Sequence, residues 1–352
     1  MGSLRLDYPV LSHHTLRAMS DSPHVAIAGA TGAVGKEMLK CLEERDFPIG
    51  EISLLASSRS AGRKIPFRGE ECVVRELTHE SFEGVNIALF SACGALSLEY
   101  GPSAAAAGAV VIDNSSAFRM DPEVPLVVPE VNSAAARSRP KGIIANPNCT
   151  TIITLMGLNP LHRKFGLRSI VASSYQAVSG SGQAGIEELS EQVKALAEGR
   201  DDLPREVYPK QIAFNVIPHV DQFLEGGYTR EELKMVNEGR KILGLPELKV
   251  TCTCVRVPVY RSHSVSVTAQ FATAPSVEEA RLAYEGYPGV RVVDDPSRAL
   301  YPTPSDTTEK DDCLVGRIRK DLVMDDALAL WIVGDQVRKG AALNAVQIAE
   351  LI

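Results

Sequence analysis

A two-domain α/β fold is predicted for this chain by three observations. A short apolar strand at 24–28 runs into a glycine turn and then a helix. Further short apolar runs alternate with helical or small-residue stretches as far as residue 145. Beyond residue 165 the strands lengthen, and 263–273 alternates apolar with polar positions. The first two observations imply a parallel sheet of the Rossmann type, a dinucleotide-binding domain at the N-terminal end. The third implies a separate α+β domain with a mixed sheet, one face packed on helices and the other free to pair with a second subunit.

The chain has 352 residues, 45% hydrophobic and 23% charged, ordinary values for a globular protein with two cores. A formal net charge of -7 argues against nucleic acid as the main partner. No apolar run approaches the ~20 residues of a membrane span. The seven cysteines are irregularly spaced, with no C-x-x-C pair. Reduced thiols in a cytoplasm are the expectation. No three of His, Cys, Asp and Glu stand at ligand spacing, so no metal is expected. Residues 1–22 carry no secretory signal and read as a disordered extension, with Met19 as the natural start.

After the strand at 24–28 comes Gly29-Ala30-Thr31-Gly32-Ala33-Val34-Gly35, then a helical run through Met38, Leu39 and Leu42. In that context a G-x-x-G-x-x-G element holds a pyrophosphate: the glycines admit phosphate to the backbone, and the helix N-terminus supplies donors. The bland alternative is a tight turn without a ligand. The next strand, 52–56, ends in Ser57-Ser58-Arg59-Ser60. An NAD-selective site puts an acidic residue there, on the ribose 2′-hydroxyl; hydroxyls and an arginine suit a 2′-phosphate, so NADP is the expected cofactor. A small strand pair is read at 64–76, further strands at 86–91 and 110–113, and an alanine-rich helix at 103–107. Cys93, in the turn at 92–95, reads as structural. The polar loop 114–120 follows a strand C-terminus, the usual ligand side of a parallel sheet.

Asn146-Pro147-Asn148-Cys149-Thr150-Thr151 joins a strand at 142–145 to an apolar helix at 151–158. Cys149 sits near the helix N-terminus, where backbone N–H groups and the helix dipole favour a thiolate. A buried structural cysteine is the competing reading. A strand at 170–175 then leads to the small-residue stretch 176–182. A helix carrying Ile186, Leu189, Val193 and Leu196 follows, with an irregular loop at 201–208 and a polar helix at 229–243 stopped by Gly244. Strands at 250–259, 263–273 and 326–334 precede an alanine-rich helix at 337–351. The boundaries read as 23–149 for the nucleotide domain, completed by 334–352, and 150–333 for the catalytic and dimerisation domain.

Taken together and in order, several stretches resemble the aspartate-β-semialdehyde dehydrogenase family. They are GATGAVG (29–35), SSRSAG (57–62), NSSAFRMDPEVPLVVPEVN (114–132), NPNCTT (146–151), SYQAVSGSG (174–182), FNVIPHVD (214–221), YTREELKMVNE (228–238), RVPVYRSH (256–263) and GAALNAVQIAE (340–350). The resemblance implies a cytoplasmic homodimer, or a tetramer, that catalyses reversible NADP-dependent reductive dephosphorylation of L-aspartyl-4-phosphate. The products are L-aspartate 4-semialdehyde and phosphate, on the branch to lysine, diaminopimelate, threonine and methionine. An aldehyde gives up hydride poorly. Thiolate addition makes a thiohemiacetal that expels it readily, and the thioester left behind is open to phosphate.

By the same resemblance Cys149 is the nucleophile, His263 the acid/base and Gln176 the residue that orients the substrate or the nucleophile. Arg256 grips the α-carboxylate, Glu231 meets the amino group, Arg119 and Lys234 bind the phosphate, and Asn148 stands near the developing oxyanion. Glu231 and Lys234, three apart, share one helix face, although alone they would read as a surface ion pair. The implied cofactor residues are Gly29, Thr31, Gly32, Ala33, Val34, Gly35, Ser57, Arg59, Ser60, Ser91, Gly94, Ser179, Gly180 and Asn344, the last on the nicotinamide amide. His219 is expected to be structural or at the dimer contact. The related N-acetyl-γ-glutamyl-phosphate reductases share the chemistry but take an acylated amine; Glu231, suited to a free ammonium, favours the aspartyl substrate. A non-catalytic homologue would be expected to lose the nucleophile or the base, and both are present.

Overall fold

A computed structural model describes residues 22–352. The expectations for the first residues, including the start at Met19, lie outside this range.

The first sheet has seven strands: β1 His24–Ala28, β2 Glu51–Ala56, β3 Lys64–Phe67, β4 Glu70–Glu76, β5 Ile87–Phe90, β6 Val110–Asp113 and β7 Ile143–Ala145. Their order is β3-β4-β2-β1-β5-β6-β7, and every pairing is parallel except β3–β4. The central strands are almost wholly apolar, as strands covered on both faces must be. Helix α1, Ala33–Glu44, packs Met38 and Leu42 on one face. Helix α2, Gly94–Ala106, starts well before the alanine run that betrayed it; Gly94, Gly101 and Pro102 hide its first turns from a propensity reading. The short helix α3 covers Pro129–Asn132.

Helix α4, Cys149–Phe165, leaves the edge of the first sheet and crosses to the second. That sheet contains β8 Leu167–Gln176, β9 Lys249–Arg256, β10 His263–Phe271, β11 Val290–Val292, β12 Cys313–Lys320 and β13 Ala327–Gly334, in the order β11-β12-β13-β10-β8-β9. It is mixed: β8–β9 and β11–β12 are parallel, the other pairs antiparallel. Strand β9 ends at Arg256, short of the expected 259, where the chain turns toward β10. Helices α5 Gln183–Ala197, α6 Arg230–Leu243, α7 Val277–Ala283 and α8 Pro304–Thr307 complete this half. Helix α6 has Thr229 and Glu232 as a capping box and left-handed Gly244 as its stop.

The C-terminal stretch is not one regular helix. Residues Arg338–Ala342 wind as a π-helix before α9, Leu343–Ala349. The Gly340 and Ala342 N–H groups reach back five residues to the carbonyls of Asp335 and Val337, while the Asp335 carboxylate takes the Val337 and Arg338 N–H groups. Helix α9 packs Leu343, Val346 and Ile348 into the same core as β1 and α1, so the chain closes on its first sheet.

Among the described residues no helix is long and apolar enough to cross a membrane, and all seven cysteines are free. Cys93 is exposed at the N-cap of α2 rather than packed inside.

Candidate active site

Asn148 caps α4, its side-chain oxygen accepting the Thr151 N–H at 3.1 Å, so Cys149 occupies the first helical position. Cys149 opens onto a cavity of about 330 Å³. Arg119, Asn148, Gln176, Glu231, Lys234, Arg256 and His263 line the same cavity. Six separate elements deliver them: the loop after β6, the turn before α4, the ends of the sheet-2 strands β8 and β9, helix α6, and the first residue of β10. Every catalytic and substrate-binding residue expected from the sequence therefore converges on one space.

The polar groups around the cysteine are tightly ordered. Glu231 accepts from Asn148 Nδ2 at 3.0 Å, Gln176 Nε2 at 2.9 Å and Lys234 Nζ at 2.8 Å. Burial opposes ionisation of this carboxyl, but the Lys234 charge and those hydrogen bonds outweigh it and hold the pKa down at about 2. Gln176 also donates to Thr150 Oγ1, which leaves its own oxygen, buried and without a partner, as a spare acceptor. Arg256 donates to the Ala177 carbonyl at 2.6 Å.

Two protonation states differ from expectation. The Cys149 thiol is not lowered toward a thiolate: burial first, then the Glu231 charge, push it up to about 11, against smaller lowering from Arg119 and Lys234. The helix N-terminus is outweighed by desolvation. His263 is only 1% exposed, and burial, aided by Arg256, drops it to about 3. The Ala177 N–H donates to its Nδ1 at 3.1 Å, so the neutral ring carries its proton on Nε2.

The glycine turn sits where the sequence put it. Gly29 has φ +88°, and a Cβ there would lie 2.2 Å from the Ser91 carbonyl oxygen; a Cβ at Gly35 would lie 2.3 Å from the Gly29 oxygen. Only glycine lets α1, β1 and the end of β5 approach this closely. Thr31, Gly32, Ala33 and Val34 lie at the helix start, with Gly32 and Ala33 exposed. The Gly29 and Ala30 N–H groups bind the Leu55 carbonyl, which sets the turn beside the end of β2. Ser57 and Arg59 are exposed there and Ser60 is half-buried. Ser91 and Gly94 follow the neighbouring strand β5, and Gly180 lines the cavity. This cradle of close-packed glycine fits the pyrophosphate of a dinucleotide, with hydroxyls and an arginine beside it.

Asn344 departs from its expected role. It is fully buried, donates to the Val127 carbonyl and to Asn146 Oδ1, and accepts from Lys339. With both amide hydrogens and one lone pair of its oxygen used inside the protein, it does not line the cavity, and it reads as an anchor of α9. Ser179 is engaged too, accepting from Gln336, whose oxygen takes the Ser262 N–H at 2.7 Å just before His263. Three residues passed over in the sequence also belong to the site. Asp221, in the left-handed region at φ 69°, binds Lys234 at 3.0 Å. Ser116 lines the cavity. Glu238 lies behind Arg119. The spacing of Glu231, Lys234 and Glu238, three then four apart on one helix face, was the signal for the last. His219 stacks on Phe223, ring centroids 4.4 Å apart, outside the cavity. Among the described residues no group of three or more His, Cys, Asp or Glu could hold a metal.

Comparison with known proteins agrees with this architecture. Residues 24–139 match the model of the semialdehyde dehydrogenase NAD binding domain, and residues 158–339 match that of the semialdehyde dehydrogenase dimerisation domain. The chain is 52% identical to the aspartate-semialdehyde dehydrogenase of Aquifex aeolicus, over 93% of this chain and 97% of that one. It is 50% identical to the Bacillus subtilis enzyme, over 93% and 96%. The crystal structure of aspartate semialdehyde dehydrogenase II from Vibrio cholerae superposes with a TM-score of 0.91 at 47% identity, covering 94% of this chain and 98% of that one; a second is complexed with ASA. The Candida albicans enzyme, solved with NADP, gives 0.73 at 26% identity, over 94% and 98%. With identity at this level along nearly its whole length, the chain belongs to the aspartate-semialdehyde dehydrogenase family.

Proposed function

We propose that this enzyme catalyses the reversible, NADP-dependent reductive dephosphorylation of L-aspartyl-4-phosphate to L-aspartate 4-semialdehyde and phosphate, through a covalent adduct on Cys149. It would serve lysine, threonine and methionine biosynthesis in the cytoplasm as a homodimer. We assign the cofactor to residues 23–149 with 334–352, and catalysis and dimerisation to 150–333. The observation that carries the reading is the convergence of Cys149, His263, Gln176, Arg119, Glu231, Lys234 and Arg256 on one cavity.

Each group has a task suited to its state. Arg256 offers a guanidinium to the α-carboxylate, and ionised Glu231 takes the α-ammonium. Arg119 spends three N–H groups on Asn146, Asn114 and Glu238, leaving two for the phosphate beside Lys234. Cys149 adds to the carbonyl carbon: the S–H bond breaks as the S–C bond forms, and the thiol proton ends on the carbonyl oxygen, to which His263 Nε2–H donates a hydrogen bond. The turn at 29–35 would hold the pyrophosphate, and Ser57, Arg59 and Ser60 the 2′-phosphate. When bound, NADP supplies the hydride acceptor or, reduced, the donor.

The test is a spectrophotometric assay with aspartate semialdehyde, phosphate and each nicotinamide cofactor in turn. We expect phosphate-dependent reduction of NADP, lost in Cys149→Ala while NADPH binding persists. Substantial turnover by Cys149→Ala would sink the covalent route.

A further inference from the structure

Glu238 does not line the cavity, yet it touches two parts of it. It lies on α6, one turn past Lys234 and two past Glu231. Its Oε1 accepts from Arg119 Nη1 at 3.1 Å, and its Oε2 accepts the backbone N–H of Asn148 at 2.7 Å. The side chain is 2% exposed, so water competes for neither bond. A buried ion pair adds little stability over an apolar replacement, so its use lies elsewhere. Arg119 does not depend on Glu238 for its place, because Nε is fixed on the Asn146 carbonyl and Nη2 on the Asn114 carbonyl. Burial pushes the Glu238 carboxyl up, against the Arg119 charge and the two hydrogen bonds, and with both oxygens accepting it is held as a carboxylate. What it adds is a negative charge behind the guanidinium and a link from it to the backbone of Asn148, the residue before Cys149.

We infer that Glu238 is a positioning residue that holds the backbone before Cys149 against the already fixed Arg119 and moderates the grip of Arg119 on phosphate. The inference rests on the reading of Arg119 as a phosphate ligand. Without this charge, a dianion leaving the site would face undiminished attraction from Arg119 and Lys234. Lys234 is already offset by Glu231 and Asp221, at 2.8 and 3.0 Å. Glu238 does the same for Arg119, so each cation of the phosphate site is matched by a carboxylate.

Two substitutions separate the roles. Glu238→Gln keeps an acceptor for the Asn148 N–H and removes the charge; Glu238→Ala removes both. Inorganic phosphate binding is measured by titration calorimetry on the holoenzyme, and kcat by the semialdehyde assay. Phosphate should bind roughly fivefold tighter in both variants. Glu238→Ala should lower kcat about thirtyfold, and Glu238→Gln should recover most of that loss. Unchanged phosphate affinity in Glu238→Gln, or equal loss of kcat in both variants, overturns the inference. If Glu238→Ala does not fold, the phosphate titration of Glu238→Gln decides alone. A wild-type enzyme that oxidises the semialdehyde with no dependence on phosphate removes the Arg119 reading as well.

Discussion

Cys149 rests as a thiol and His263 as a neutral imidazole, because burial penalises whichever form of each is charged. The pair is not a preformed thiolate–imidazolium. With the thiol at about 11, its ionised fraction rises about tenfold per pH unit through the neutral and mildly alkaline range. Inactivation by iodoacetamide should therefore climb steadily from pH 7 to pH 10 without a plateau; a plateau near pH 7 would show a thiolate already formed. Arg59 makes a second residue-scale case. Exposed at the end of β2, it is the only cation in the stretch 57–62. Arg59→Asp should cut the preference for NADP over NAD at least about tenfold in kcat/KM. Unchanged discrimination would leave the 2′-phosphate without its proposed partner. Residue identities were legible in the sequence because Cys149, His263 and Arg256 sit in specific stretches. Their protonation states were not, since the burial that sets them, and after it the Glu231 and Arg256 charges, exist only in the fold.

At the scale of elements, the π-helical turn at 338–342 shapes the wall behind the nucleophile. A Cβ on Gly340 would stand 2.8 Å from the Cys149 Cβ and 3.3 Å from its Cα. Backbone, not a flexible side-chain tip, would have to yield. Gly340→Ala should displace the start of α4 and lower kcat about a hundredfold, with a smaller effect on NADPH binding. Wild-type kcat in that variant would show that the turn is free to move. The sequence predicted a plain helix here because alanine-rich composition carries no trace of five-residue hydrogen bonding; Asp335, which organises it, precedes the helical pattern. By contrast α6 was legible to within a residue, since Thr229, Glu232 and Gly244 are local signals. The internal bonds of Asn344 were hidden for the opposite reason: its partners Val127 and Asn146 come from distant chain.

Over the whole molecule, α4 ties the two sheets together, with Cys149 at the seam and its body laid on one face of the second sheet. The opposite face carries Val171 and Tyr175, 44% and 37% exposed, beside Trp331, whose ring centroid is 5.3 Å from that of Tyr175. These apolar side chains stand among hydroxyls such as Ser173, Ser266 and Thr268, and this exposed face, in the half that matches a dimerisation domain, is the proposed subunit contact. Val171→Asp should shift the sedimenting species from dimer to monomer at micromolar concentration. A wild-type monomer, or a variant that stays dimeric, would move the contact elsewhere. The two-domain plan was readable from the change in strand length after β7. The order of sheet-2 strands was not, because β11 and β12 arise from a stretch without clear periodicity.

The protonated state of the resting sulfur has a further consequence. Peroxide attacks the anion of cysteine and largely spares its conjugate acid. An idle enzyme with its sulfur capped by hydrogen is thus shielded from being burned to a sulfenic or sulfinic acid. The vulnerable anion would exist only in the interval when a bound aldehyde or acyl phosphate stands ready to consume it.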